Sequence, residues 1–313
     1  MVVTPESERR IARIEGIVGQ DVGRNIQALF EHAKGGLLGA ARSIAEHPRL
    51  HVAIISGFYI PFTNPPAAEN DGPVGVAHMA AGFHRAGVPC RIATDAPCTN
   101  VLRVAALAAG VPPGFPFDVV ALDGGGGGGH GGRPLGEVLD AWRRLDPPLS
   151  HVIAIERCGL AADGKPHNSR GHDISPHTAP LDHLFTGGDW TRIGMGDGGN
   201  EVGMGSIPRE VIAANVENGE TVACITPCDH LIVLGVSNWG GYALPAALAL
   251  LRPEWREPML SGITREMDAK ILKETNDKGP SVDGKAGVQA FQVDGLPWEF
   301  HADVLDRVMA ELG

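Results

Sequence analysis

Near its start the chain places apolar residues three and four positions apart. Ile11, Ile14 and Val18 predict an amphipathic helix, and Leu29, Leu37, Leu38 and Ala41 predict a second helical stretch that ends before Pro48. From residue 51 the pattern changes to short, nearly continuous apolar runs. Those at 51–55, 91–94, 117–122, 152–155, 191–195, 221–226 and 231–236 predict strands covered on both faces. Stretches of helical period separate them, notably 74–86, 101–109 and 242–251. Strands alternating with helices predict an α/β fold built on a mostly parallel, doubly wound sheet. The expected plan is an N-terminal helical segment over 1–50, an α/β core over 51–251 and a small C-terminal subdomain or lid over 252–313, where proline and charge increase. A length of 313 residues suits one large domain better than two small ones.

In open parallel sheets, ligands bind beyond the carboxyl ends of the strands, so the turns that follow the strands are where function is expected. Four of them are unusual: Ser56-Gly57-Phe58, Glu156-Arg157-Cys158-Gly159, the loop from Gly196 to Glu201, and Ser237-Asn238-Trp239-Gly240-Gly241. A run of six glycines at 124–129, continued after His130 by Gly131 and Gly132, satisfies a dinucleotide-binding pattern only trivially. No acidic residue stands at a following strand end where that fingerprint needs one, so the run reads as a surface loop.

Composition narrows the chemistry. A formal charge of −11, with Lys and Arg scattered and no aromatic interleaving, argues against a nucleic-acid partner. No apolar run reaches the roughly 18 residues needed to span a membrane. The five cysteines are an odd number without disulfide-type spacing, and the N-terminus resembles neither a secretory signal nor a transit peptide, so a reducing, cytoplasmic setting is expected. The partner class is a small-molecule acid, with assembly into a homo-oligomer left open.

The loop Gly196-Asp197-Gly198-Gly199-Asn200-Glu201-Val202-Gly203-Met204-Gly205 surrounds two acids and an amide with glycines. Glycine permits close backbone approach, so such a loop can turn N–H donors toward an anion while its carboxylates face a metal or a proton in transfer. A long polar segment from Glu156 to Asp182 carries Arg157 and Arg170, whose planar forks suit a carboxylate; the alternative is that they pair with Asp163 and Asp173 only to hold the loop. His172, His177 and His183, with Cys224, Cys228 and His230, match no standard zinc spacing. Asp71, Asp173, Asp197, Glu201 and Asp229 offer oxygen ligands suited to Mg²⁺ or Mn²⁺ without a spacing that demands either.

Several motifs together resemble the D-glutamate cyclase family. They are Asn70-Asp71-Gly72-Pro73, Glu156-Arg157, Asp163-Gly164, Asn168-x-Arg170-Gly171-x-Asp173-Ile174-Ser175, Thr178-Ala179-Pro180-x-Asp182, Gly196 to Gly205, and Gly235-Val236-Ser237-Asn238-Trp239-Gly240-Gly241. The resemblance covers nearly the whole chain. It implies a hydro-lyase that closes D-glutamate to 5-oxo-D-proline with loss of water. It further implies that Asp197 and Glu201, with Asp173, supply acid and base, or that Asp197 and Glu201 bind a divalent cation, Mn²⁺ or Mg²⁺. Gly198 and Gly199 would face the developing oxyanion, Arg157 and Arg170 would hold the α-carboxylate, and Asn200, Ser237 and Asn238 would orient the amine. Ser56, Gly57, Asp71, Gly72, Asn168 and Thr178 complete the expected substrate contacts. Two other readings compete: a metal-dependent hydrolase, disfavoured because the phosphatases with a similar loop need an Asp-x-Asp that this chain lacks, and a non-enzymatic binding protein or sensor for a small amino acid or dicarboxylate.

Overall fold

The computed structural model describes residues 3–122 and 131–313. The six-glycine run, and with it the surface-loop reading, lies outside the described residues. Six parallel strands form one sheet: β1 (Val52–Ser56), β2 (Cys90–Asp95), β3 (Phe117–Val120), β4 (His151–Ile155), β5 (Thr191–Gly196) and β6 (His230–Val233), in the order β3-β2-β1-β4-β5-β6. Val52 sits in register with both Cys90 and His151, and Ser56 with Ile155. The expected α/β doubly wound sheet is therefore present.

The near-continuous apolar strands follow from coverage on both faces. On one face Ile54, Ile92, Ile153 and Met195 join a large apolar cluster, while on the other Ala53, Ile55, Ala93 and Val152 pack against Val138, Trp142 and Phe185. The large cluster is built by helices α1 (Pro5–Val18), α3 (Gly36–Glu46), α4 (Pro73–Arg85), α5 (Thr99–Ala108), α10 (Gly240–Leu251), α11 (Arg256–Leu260), α12 (Arg265–Lys278) and α13 (Trp298–Ala310). The opposite face carries α6 (Leu135–Arg143) and α7 (Asp182–Thr186). Ile11 and Ile14 near the start of the chain share their cluster with Ile271, Leu305 and Val308 near its end, so the terminal segments are continuous with the core.

Two expectations meet differences. The second helical stretch is two helices, α2 (Gln27–Ala33) and α3, parted at Gly35, whose φ of 92° suits glycine. The carboxylate of Glu15 on α1 accepts the free N–H groups of Gly35 and Leu37, both at 2.8 Å, and so caps α3 from a neighbouring helix. The run at 221–226 is not a strand. It follows α8 (Arg209–Asn215) as the end of α9 (Gly219–Val222) and an extended stretch whose backbone bonds to the 160 and 203 loops, as in Ile225 N to Leu160 O at 2.9 Å. Its apolar side chains reflect burial under those loops, which periodicity alone does not separate from burial in a sheet. Among the described residues, no helix is long and apolar enough to cross a membrane.

Candidate active site

The strand order reverses direction between β1 and β4, and the crevice at that point is the expected ligand site of such a sheet. Three crossovers deliver carboxylates there. Asp71 precedes α4, Glu156 follows β4 and Asp197 follows β5; one oxygen of each lies within 4.8 Å of the other two, and all three residues are buried. Glu69, Glu201 and Asp294 complete a group of six buried acids. Glu69 and Asp294 come together at Gly284, where no room remains for a Cβ.

Local structure explains how the chain holds these groups. Asp71 is fixed by backbone donors: its Oδ1 accepts from Gly72 N at 2.9 Å and Asn238 N at 2.7 Å, and its Oδ2 from Ser237 N at 3.0 Å. Gly72, at φ 90°, threads between Ser56 and Glu156, and a Cβ there would lie 2.8 Å from both Ser56 Oγ and Glu156 Cβ. Glu156 leaves β4 at φ 41°, a left-handed conformation that costs a non-glycine residue about 1–3 kcal/mol, and its Oε2 accepts from Ser237 Oγ at 2.5 Å. Asp294 is also left-handed, at φ 55°. Glu201 Oε1 accepts from Asp197 N at 2.9 Å and Gly198 N at 2.6 Å, so this acid folds its own loop. Its Oε2 has no partner, nor has Glu69 Oε1, nor has either oxygen of Asp197.

Among the described residues, a single cation lies within ion-pair distance of the group. Arg24, in the turn before α2, lies 3.3 Å from Asp197 Oδ1 through Nη1 and pairs with Asp294 Oδ2 through Nη2. Burial opposes the charge on Arg24, but Asp197 and Asp294 outweigh it and hold the group firmly protonated. Burial raises the pKa of Glu69, Glu156 and Asp197 well above the usual carboxylate range, with mutual repulsion adding to it in each case. Asp71 rises to about 7, through burial first and then the charge of Asp294, against the bonds from Asn238 and Ser237. Ionised carboxylates this close and this dry are unfavourable unless a cation joins them. The donors are all hard oxygens, several without partners, which fits Mg²⁺ or Mn²⁺ and not a thiolate-preferring metal.

The sequence-predicted residues divide. Ser56, Asp71, Gly72, Asp197, Gly198, Glu201 and Ser237 lie at this cluster. Of the pair expected to hold a cation, Asp197 converges with Asp71 and Glu156, while Glu201 turns one oxygen to the backbone of the same loop and leaves the other without a partner. The Gly198 N–H is consumed by Glu201 and is not free for an oxyanion, while the Gly199 carbonyl accepts from Cys224 N. Arg157 is not a free clamp: it is 1% exposed, pairs with Asp95 at 2.7 Å and donates to the carbonyls of Gly57 and Ala179, thereby tying three loops together. Asn238 is likewise spent, accepting from Gly75 N and donating to Asn70 O, and Asn200 donates to His167 O. Thr178 is buried with its hydroxyl unpartnered, beside the Ala179 carbonyl that Arg157 holds.

Asn168, Arg170 and Asp173 are not brought to the cluster. Asn168 caps its own turn through the N–H groups of Arg170 and His172, Arg170 is exposed, and the exposed Asp173 pairs with Lys165 at 2.8 Å. Neither arginine takes the alternative pairing with Asp163 or Asp173, since Asp163 binds His167. Asp229 pairs with Arg192, away from the acids. A separate cleft of about 290 Å³, lined by His32, Gly36, Ser206, Cys228 and His230, contains none of the six carboxylates.

The expected site omits Arg24, Glu69, Glu156 and Asp294. Their signals are modest: Glu156 ends a continuous apolar strand, Glu69 precedes Asn70-Asp71-Gly72-Pro73, Asp294 sits in Val293-Asp294-Gly295, and Arg24 follows a glycine in Asp21-Val22-Gly23-Arg24.

Comparison with known proteins bears on this geometry. The chain is 28% identical to the human "D-glutamate cyclase, mitochondrial" over 98% of its own length and 53% of that protein, and so spans about half the length of this curated relative. A family model described as "D-glutamate cyclase-like, C-terminal" matches residues 14–309, and the chain therefore belongs to the D-glutamate cyclase-like family.

Proposed function

We propose that the chain is a hydro-lyase that closes D-glutamate, or a closely related amino diacid, into its five-membered lactam with release of water, using Mn²⁺ or Mg²⁺. The observation that carries the reading is Asp197, wholly buried at the switch point with both oxygens lacking a hydrogen bond and two further carboxylates within 4.8 Å. Family membership supplies the reaction class, and the D configuration comes from the name of the human relative.

Asp71, Glu156 and Asp197 would hold the cation. When bound, it would act as a Lewis acid on the γ-carboxyl group. The chain's own residues then have defined tasks. The α-ammonium must shed two protons as the C–N bond forms, and one γ-carboxyl oxygen must gain two to leave as water, so no net proton is exchanged with solvent. Glu201, whose Oε2 has no hydrogen-bond partner while Oε1 is held by Asp197 N and Gly198 N, would accept one ammonium proton. Glu69, whose pKa burial raises well above the usual range, would give one proton to the departing hydroxyl; the second nitrogen proton passes to the same oxygen to complete the water, and Glu69 is then reprotonated at the expense of Glu201. Ser237 orients Glu156 through the 2.5 Å bond, and the turn it belongs to fixes Asp71. Holding the extended diacid folded lowers the barrier further, by up to roughly 7–11 kcal/mol in ideal cases.

The test is to incubate the protein with D-glutamate, L-glutamate and both 5-oxoprolines, with and without Mn²⁺ or Mg²⁺, following ring closure by NMR. Cation-dependent lactam formation from one enantiomer supports the reading. Saturable binding of glutamate without turnover under every condition overturns it in favour of a sensor.

A further inference from the structure

Arg24 differs from every other charged group at the site. Among the described residues it is the one cation within ion-pair distance of the six carboxylates. Its side chain is 27% exposed, whereas those of Asp197 and Asp294 are 1% and 3% exposed. It is therefore the charged group of this cluster that solvent reaches most readily. Its backbone is pinned, since Asp21 Oδ1 accepts from Gly23 N and Arg24 N at 2.8 Å and from Asn25 N at 3.2 Å. The guanidinium is not pinned in the same way. Neither ion pair has hydrogen-bond alignment, and Asp197 keeps both oxygens unsatisfied despite the contact. A fixed root carrying a planar fork that touches two carboxylates without an aligned hydrogen bond to Asp197 is suited to exchanging that carboxylate for another.

We infer that Arg24 is a tethered counter-ion that changes partners: it neutralises Asp197 and Asp294 while the site holds no divalent ion, and turns to the α-carboxylate of the amino diacid once such an ion takes Asp197. The inference rests on the reading of the site given under Proposed function. Charge balance motivates it. A divalent ion bound to Asp197 removes one of the two anions that hold Arg24, and its two positive charges repel the guanidinium, which stays tethered through Asp294 while the arm that faced Asp197 turns outward. The arrangement makes α-carboxylate recognition conditional on a loaded site, and makes Arg24 the residue that selects amino diacids over amino monoacids.

The experiment uses stopped-flow binding, read before turnover, of D-glutamate and of 4-aminobutyrate, which is glutamate without its α-carboxylate, to the full chain with and without Mn²⁺. Wild type with Mn²⁺ should prefer D-glutamate about 50-fold, the range expected for one charge-assisted bidentate pair. Without Mn²⁺ the preference should fall to near unity. Arg24→Gln should abolish the preference under both conditions while still binding Mn²⁺, and Arg24→Lys, which keeps charge but not the fork, should be intermediate. Circular dichroism and the partial rescue by lysine separate this result from misfolding. An Arg24→Gln protein that keeps the wild-type preference overturns the inference, as does a wild-type preference that is undiminished without Mn²⁺. If wild type binds neither ligand, the substrate reading itself fails, an outcome distinct from either of these.

Discussion

Asp268 and Asp197 are both buried carboxylates, 2% and 0% exposed, yet the fold treats them in opposite ways. Asp268, on α12, accepts from Tyr242 Oη at 2.6 Å, Trp298 Nε1 at 2.9 Å and the His78 ring at 3.1 Å. Burial pushes its pKa up, but these partners prevail and leave it below the usual value. Asp197 has no hydrogen bond to either oxygen, shares its surroundings with five other acids and is raised well above the usual range. The difference separates a carboxylate that ties α4, α10 and α13 to α12 from one whose oxygens no hydrogen-bond donor satisfies. Burial alone does not single out a candidate functional acid; burial with donors missing on both oxygens does.

The contrast can be broken most severely at Asp197. Asp197→Asn should lower turnover by about 10³-fold or more, as loss of a principal electrostatic group does, while the unfolding temperature holds or rises because one mutually repelling charge is gone. NMR of lactam formation and a thermal melt read both effects, and a variant with near-normal turnover removes Asp197 from the chemistry. Asp268→Asn should do the reverse. It should cost about 3 kcal/mol of stability through unsatisfied partners, with turnover changed only about twofold in the folded protein. A denaturant titration checks the first part, and a large loss of activity without loss of stability contradicts the assignment.

The acid cluster also predicts an unusual pH profile. Asp71 titrates at about 7 in the folded protein, above its value in the unfolded chain near 4. A carboxyl with a raised folded pKa contributes its stability at low pH and loses it as pH climbs from about 4 to about 7. Relative to Asp71→Asn, metal-free wild type should therefore grow less stable across that window, and Mn²⁺ should restore stability most at its upper end. Parallel profiles for the two proteins refute this. The smallest effects belong to the polar arm at 158–178. Asp173→Asn and Arg170→Ala should each change turnover by about threefold or less, because one breaks only an exposed pair with Lys165 and the other alters an exposed side chain. A loss beyond tenfold in either would bring that arm into the site.

Particular elements show how far the chain could be read directly. The runs at 51–55 and 152–155 form β1 and β4 because alternate residues meet apolar layers on both faces, and 74–86 forms α4, whose residues from Pro73 to Phe83 are all buried. The glycine loop and the Ser237 turn were located correctly because turns after parallel strands must face one crevice. For Arg157 the two roles left open could not be separated in the sequence, since a guanidinium that ties three loops and one that clamps a substrate are spelled alike. Asn238 misled, its amide being spent on Gly75 and Asn70.

The sequence by itself determined the alternation of strands and helices, the sheet they build and the turns that carry chemistry, because each depends on periodicity and on local backbone demands. Only the tertiary structure decided which acids meet. Glu69, Glu156, Asp197 and Asp294 are far apart in the chain, and Arg24 approaches them from the turn before α2. Their convergence depends on strand order and on the packing of both terminal segments onto one apolar layer, a long-range property that no local spacing encodes. For the same reason the distinction between Asp197 and Asp268 was invisible beforehand: it lies in which donors the folded chain brings to each, and which it withholds.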